Sequence, residues 1–309
     1  MNDKPIKKYV YAIAFIPILL WASSFVGIKD AVYYFSPGAL VLARLIIASV
    51  IMLFIYVFIT KNNNRIGYIP AIFAAFCGII GIMMFNLFIN YGEKTMDPAI
   101  ASFISSQSPV IAIMMAVIFL GEKISYWQLY GLIFCVIGTL IIMYSQAQHF
   151  SINIGIIYLL FAALCAASYS ILQKILLKKV PILSYISFAI WGATIASLFF
   201  MDDLVIQMNR APSFVILDVI YLGIFPTAAA YAIWGYCFLK IEASKIVIYT
   251  YFMPVFTAIM SFAFFHQIPK LITIIGGLIS LMGVMISNIP ARKVVNSSVE
   301  IFAISPKQQ

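Results

Sequence analysis

Apolar residues run along this chain in ten stretches, roughly 9–28, 38–60, 67–91, 98–120, 126–145, 154–173, 183–201, 213–237, 243–265 and 271–290. Polar and charged residues gather in the short gaps between them. Each stretch is close to the ~20 apolar residues that carry a helix across a bilayer. None shows the two-residue alternation over about ten residues expected of a membrane barrel strand. The pattern predicts an all-α integral membrane fold with ten transmembrane helices. No gap is long enough to hold a soluble domain.

The second half repeats the first. Tyr91, Pro109, Gly131 and Gly138 recur 145 residues later as Tyr236, Pro254, Gly276 and Gly283, and Gly78 recurs as Gly223. Five helices per repeat is an odd number, so the second repeat is expected to be inverted relative to the membrane. The axis relating the two then lies in the membrane plane. The expected organisation is a tail over 1–8, a first five-helix repeat over 9–145, a second over 154–290 and a tail over 291–309. The connector 202–212, with Asp202, Asp203 and Arg210, is the most polar, and is expected to be a loop on the outer face. The glycine pairs Gly131/Gly138 and Gly276/Gly283 put smooth patches on one face of their helices. Such faces serve close packing within the fold or, alternatively, a homodimer.

Composition agrees with a membrane solvent. The chain is 64% hydrophobic and 9% charged, against roughly 25% charged in soluble domains. The net charge of +9 reads as topology. With the N-terminus inside, fourteen of the 19 Lys and Arg residues face the cytoplasm. Lys29, Lys94, Arg210 and Lys270 face outward, and Arg44 lies within a helix. This bias predicts a multi-pass protein of the bacterial inner membrane with both termini cytoplasmic. The basic N-terminal residues and following apolar run are expected to be a retained first helix rather than a cleaved signal. A basic surface with interleaved aromatics is missing, so nucleic acid is not an expected partner. Cys77, Cys135, Cys165 and Cys237 fall in four different stretches without CxxC spacing and read as apolar filler. No metal or cofactor is expected.

Polar chemistry inside the helices is sparse and therefore informative. Pro109 and Pro254 are expected to kink the fourth and ninth helices, freeing the carbonyls of Ser105 and Thr250 near mid-membrane. Backbone opened at that depth is tolerated where it lines a cavity or is buried in protein. A substrate cavity is expected there, with Ser105, Gln107, Tyr249 and Thr250 near its middle. Trp21, Ser24, Asn86, Tyr169, Tyr231 and Trp234 are expected on its walls. Serines here can equally be small packing residues. Tyr91, Tyr126, Trp127 and Tyr236 fit an interfacial belt. Arg44 and Asp218 are intramembrane charges, either functional or snorkelling to the outer headgroups. Glu122 and Lys123 read as a cytoplasmic anchor or gate. No carboxylate is expected at the membrane centre, which leaves the coupling ion open.

These residues resemble the drug/metabolite transporter superfamily, in its ten-helix EamA-type branch. Trp21-Ala22-Ser23-Ser24-Phe25 is similar to the family's first-helix signature, and Pro37 with Ala43-Arg44-Leu45 to its second helix. Met96-Asp97-Pro98-Ala99, Ser108-Pro109-Val110 and Phe119 to Lys123 resemble its run through the fourth helix. Gln128, Gly131 and Gly138 continue it, and Tyr169, Pro254-Val255-Phe256 and Gly276-Gly277 to Gly283 match in the second half. His266-Gln267 replaces the Gly121-Glu122 of the first copy. The resemblance implies a secondary active transporter of a small metabolite, most simply an amino acid or amino-acid-like compound, exported by alternating access. An uptake carrier or a broad-specificity drug exporter is the alternative. An intramembrane enzyme is the rival class. HExxH, GxSxG and Walker A sequences are all missing, so neither an enzyme nor ATP-driven transport by this chain is expected.

Overall fold

The computed structural model describes residues 9–59, 66–120, 125–146, 153–177, 180–240, 250, 252–266, 270–287 and 289. The tails, Glu122, Lys123 and Tyr249 lie outside these residues. Among the described residues the secondary structure is helical, in ten successive rods. α1 comprises Tyr9–Ile13 and Phe15–Tyr34, and α2 is Pro37–Ile59. α3 runs through Tyr68–Gly78, a π-helical stretch Ile79–Met84 and Phe85–Glu93. α4 is broken into Pro98–Ser105 and Ser108–Leu120, and α5 is Tyr126–Gln146. α6 is Ile154–Leu176. α7 is Ile182–Ser197, a 3-10 turn Leu198–Phe200 and Met201–Met208. α8 is Ser213–Leu222, a π-helical stretch Gly223–Ala229 and Ala230–Lys240. α9 is Met253–Phe265 and α10 is Leu271–Ser287.

Six of these rods are long and apolar enough to cross a membrane: Tyr9–Tyr34, Pro37–Phe58, Tyr68–Glu93, Ile154–Gln173, Ile182–Met208 and Ser213–Cys237. Leu129–Ile142, Met253–Phe265 and Leu271–Gly283 are shorter apolar helices. Large apolar side chains stay exposed along the rods. Examples are Phe54 and Phe58 on α2, Ile69 and Ile72 on α3, and Ile133 and Leu140 on α5. A soluble monomer does not display so continuous an apolar surface. In lipid it costs nothing, and the helical backbone satisfies its own polar groups.

Several boundaries differ from the sequence expectation. α1 continues to Tyr34 and α3 to Glu93. The connector expected from 202 is helical to Met208. Asp202 and Asp203 sit in the first turn of that segment, where carboxylates complement the helix dipole. Gln207 and Asp203 also bind the α1–α2 corner. The Ser36 N–H donates to Gln207 Oε1 at 2.7 Å and its hydroxyl to Asp203 Oδ2 at 3.2 Å. α9 ends at His266, in the left-handed conformation at φ 52°. Gly121 occupies that register in the first copy, and glycine is the residue such a helix end favours.

The packing between the halves is reciprocal at the 145-residue offset. α3 packs on α7 and α8 on α2; α4 packs on α6 and α9 on α1. α2 pairs with α7 and α5 with α10, each with its own counterpart. The atoms agree. Gly78 meets the Ala189 carbonyl, and Gly223 meets the Arg44 carbonyl. A Cβ on Gly138 would lie 2.5 Å from the Gly276 carbonyl oxygen, and one on Gly283 would lie 2.6 Å from that of Gly131. The hydroxyls of Ser49 and Thr194, which correspond to each other, are hydrogen-bonded at 2.6 Å. The glycine faces of α5 and α10 thus pack against each other inside the fold. The four cysteines are buried, and none of them is in a disulfide.

Candidate functional site

The rods leave a central cavity of about 160 Å³. α1, α2, α3 and α4 contribute walls from one half, and α6, α8 and α9 from the other. Its lining falls into counterparts at the repeat offset: Trp21 with Ala166, Ser24 with Tyr169, Phe25 with Ser170 and Ile28 with Gln173. Asn86 pairs with Tyr231, Ile89 with Trp234, Ser105 with Thr250 and Ser108 with Met253. The cavity therefore sits where the halves meet, while the chemistry of the two walls differs.

Local backbone places these side chains. The π-helical stretch of α3 brings Gly81 against the Tyr169 ring, where a Cβ would have no room. Asn86 follows one turn later and donates to the Ile82 carbonyl at 2.6 Å. The corresponding π-helical stretch of α8 contains Pro226. Its carbonyl accepts the Trp21 Nε1–H at 3.0 Å. π-helical turns are rare and concentrate at functional sites, and here they occur at the same register of both halves. Trp21 then stands edge-on to Tyr231 and Trp234, with ring centroids 5.6 and 5.2 Å away. Tyr169 meets Tyr231 at 6.3 Å.

The kink expected at Pro109 is more complete than a bend. α4 stops at Ser105 and restarts at Ser108. Pro109 is thus the second residue of a new helix rather than an interior residue. Pro254 is likewise the second residue of α9. A proline in the first turn lacks an N–H that would have had no intrahelical partner, so it starts a helix at little cost. At the break, Ser105 and Ser106 return their hydroxyls to the carbonyls of Ala101 and Ser102, at 2.8 and 2.7 Å. Ser105, Ser106, Ser108 and Pro109 all line the cavity.

The structure brings Trp21, Ser24, Asn86, Ser105, Tyr169, Tyr231, Trp234 and Thr250 together around this space. Gln107 does not join them. Its amide donates to Ser280 Oγ on α10 at 2.7 Å and to the Phe103 carbonyl at 3.2 Å. Side chains at 105 and 107 leave the broken segment in different directions, so Gln107 clamps the break to α10. Asp218 is half-buried on α8, away from the cavity.

Two charged residues take roles the sequence left open or missed. Arg44 lines the cavity and is 2% exposed. Its Nε–H donates to Thr227 Oγ1 at 3.0 Å. It is buried rather than extended to the surface. Glu93 is 0% exposed, and neither carboxylate oxygen has a hydrogen-bond partner. Reading Glu93 and Lys94 as a connector hid it. The repeat register held the missing signal, because Glu93 corresponds to the apolar Phe238.

The sequence and the fold both resemble those of known proteins. The sequence pattern of the EamA-like transporter family matches residues 8–144 and again 153–289. A Bacillus subtilis (strain 168) protein described as an uncharacterized transporter, YdfC, is 29% identical over 89% of this chain and 89% of its own length. A probable terminal-alkyne amino-acid exporter of Streptantibioticus cattleyicolor is 25% identical over 92% of this chain and 94% of its own. One crystal structure with 18% identity superposes with a TM-score of 0.64 over 90% of this chain and 96% of that one, a likeness of fold. A multi-pass helical bundle with the family's pattern across both halves identifies the chain as a member of the EamA-like transporter family.

Proposed function

We propose that the protein is a secondary active carrier that moves a small metabolite, an amino acid or amino-acid-like compound, out across the bacterial inner membrane by alternating access. The observation that carries this reading is the central cavity lined by repeat-related residues of both halves. The reciprocal contacts support inverted halves. Along α5 the contacts run from Gly131 to Gly138 while on α10 they run from Gly283 to Gly276. Counterpart helices that cross antiparallel require a twofold axis perpendicular to them, which lies in the membrane plane. Carriers of this construction keep their substrate site near mid-membrane, between the repeats. On this reading both termini are cytoplasmic.

The walls suit a small solute with an apolar body, held by Trp21, Tyr169, Tyr231 and Trp234 and by a few polar groups. The name of the Streptantibioticus relative favours amino-acid export over drug export. Purified protein in proteoliposomes, given a panel of labelled amino acids with and without a pH gradient, tests the reading. Saturable counterflow of at least one compound is expected, and Ser105→Trp, which fills the cavity, abolishes it. A variant that transports normally removes the cavity from the mechanism. Reporters fused near residues 5 and 300 test the orientation; an external signal at either end overturns it.

A further inference from the structure

Arg44 is the one charged side chain among the described residues that line the cavity. It is held in place rather than free to swing. Nε–H donates to Thr227 Oγ1 at 3.0 Å, and the Thr227 hydroxyl in turn donates to the Leu222 carbonyl at 2.8 Å. Nη1, in contrast, is buried without a hydrogen-bond partner. Among the described residues no carboxylate forms an ion pair with it, and the buried Glu93 acts on it only from a longer distance. The ion pair found among the described residues joins Lys29 and Asp97 at 3.9 Å, and Glu93 makes none with Arg44. The counterpart of Arg44 in the second half is Ala189, so the opposite wall carries no charge at this register. A buried guanidinium with an unpartnered nitrogen is costly until a hydrogen-bonding anion meets it, and its planar fork matches a carboxylate.

The rest of the cavity defines the remainder of the ligand. Trp21, Tyr231 and Trp234 form an edge-to-face aromatic group around it. The volume of about 160 Å³ resembles the engineered cavity of about 150 Å³ that accepts benzene. No carboxylate occurs among the described lining residues to receive an ammonium group, and an ammonium stripped of water needs such a partner.

We propose that the ligand of this cavity is a monocarboxylate whose carboxylate pairs with the Arg44 guanidinium. Its neutral, ring-sized body packs on the Trp21–Tyr231–Trp234 group. Recognition rests on the carboxylate and not on the ammonium of an amino acid. This inference rests on the cavity being the transport site.

Phenylacetate, L-phenylalanine and phenylethylamine separate the groups: carboxylate alone, both, and ammonium alone. Trp21 and Trp234 report binding directly through the intrinsic fluorescence of the purified protein. Phenylacetate is expected to bind at least as tightly as L-phenylalanine, and phenylethylamine at least about tenfold more weakly. Arg44→Gln weakens both carboxylates about ten- to a hundredfold, the loss expected for a charged hydrogen bond. Arg44→Lys, which keeps a buried cation, weakens them less and retains the preference over the amine. Phenylethylamine binding as tightly as phenylacetate to the wild-type protein overturns the proposal without any variant. So does Arg44→Gln that binds phenylacetate within about twofold of wild type, or a wild-type protein that binds none of the three. Ser105→Trp distinguishes the two levels. If it binds carboxylates normally, the ligand lies elsewhere and the cavity reading falls too. If it abolishes binding while the wild-type protein prefers the amine, the cavity stands and the carboxylate assignment fails.

Discussion

Glu93 closes α3 with no surface exposed and with both carboxylate oxygens lacking a hydrogen-bond partner. Asn90, one turn earlier, donates to the Pro37 carbonyl at 3.0 Å, but its own side-chain oxygen is also buried without a partner. Lys29 and Arg44 are the cations whose charges act on Glu93. Lys29 is engaged by Asp97 and by the Met96 carbonyl, and Arg44 by Thr227. A carboxyl in this position contributes no bond to the fold shown. Replacing buried ionic groups by well-packed apolar side chains of similar volume is often neutral or stabilising, by about 1–4 kcal/mol for a whole ion pair. Breaking a well-paired one costs about 3–5 kcal/mol. Glu93→Met is therefore expected to raise the thermal unfolding midpoint of the purified protein. A fall in that midpoint would mean that Glu93 is paired with one of its two cations in the dominant state. Gln107 contrasts with it. Both of its amide bonds hold the α4 break against α10 and the preceding turn.

The elements owe their arrangement to close backbone approach. α5 and α10 cross with glycines facing carbonyls, and the Cys135 thiol donates to the Ser280 carbonyl at 3.3 Å. Gly138→Val would put a branched side chain against backbone that has no rotamer to give. Such overpacking costs about 1–3 kcal/mol or more. The expected outcome is a lower unfolding midpoint, whereas Gly67→Val, where a Cβ meets only the edge of Pro70 at 3.8 Å, is tolerated far better. Equal effects would remove the close α5–α10 crossing. The rods themselves were legible, because apolar runs of spanning length have few alternatives. Their ends were not. Asp202 and Asp203 look like loop residues until the dipole of a new helical segment receives them, and Glu93 looks like a connector until its Phe238 counterpart is considered. For the site, the aromatic and small polar liners could be read from their depth. The direction of a side chain beside a helix break could not, which is why Gln107 turned to α10. The π-helical stretches left no sequence signature beyond Gly78 and Gly223.

At the scale of the whole molecule, the repeat offset constrains motion as well as architecture. If the two halves exchange conformations during transport, a contact between residues i and j in one state becomes the contact between their counterparts in the other. A contact between a residue and its own counterpart maps onto itself and keeps its length. Ser49 and Thr194, 2.6 Å apart, are such a pair. Lys29 and Asp97 are not. Their 3.9 Å ion pair joins α1 to the start of α4 at one end of the cavity, just beyond the lining residue Ile28. The same register in the second half carries Lys174 and Glu242, again a base and an acid. Opening that end of the cavity requires the Lys29–Asp97 contact to separate, while the Ser49–Thr194 contact can stay closed throughout. Oxidising a Ser49→Cys/Thr194→Cys variant in proteoliposomes is thus expected to leave counterflow within about twofold of the reduced sample, the scale of a change below about 0.5 kcal/mol. Joining a Lys29→Cys/Asp97→Cys variant with a short bifunctional thiol reagent is expected to arrest counterflow, with recovery when a cleavable linker is reduced. Transport that survives the second link, or stops with the first, would mean that the halves do not exchange conformations about this axis.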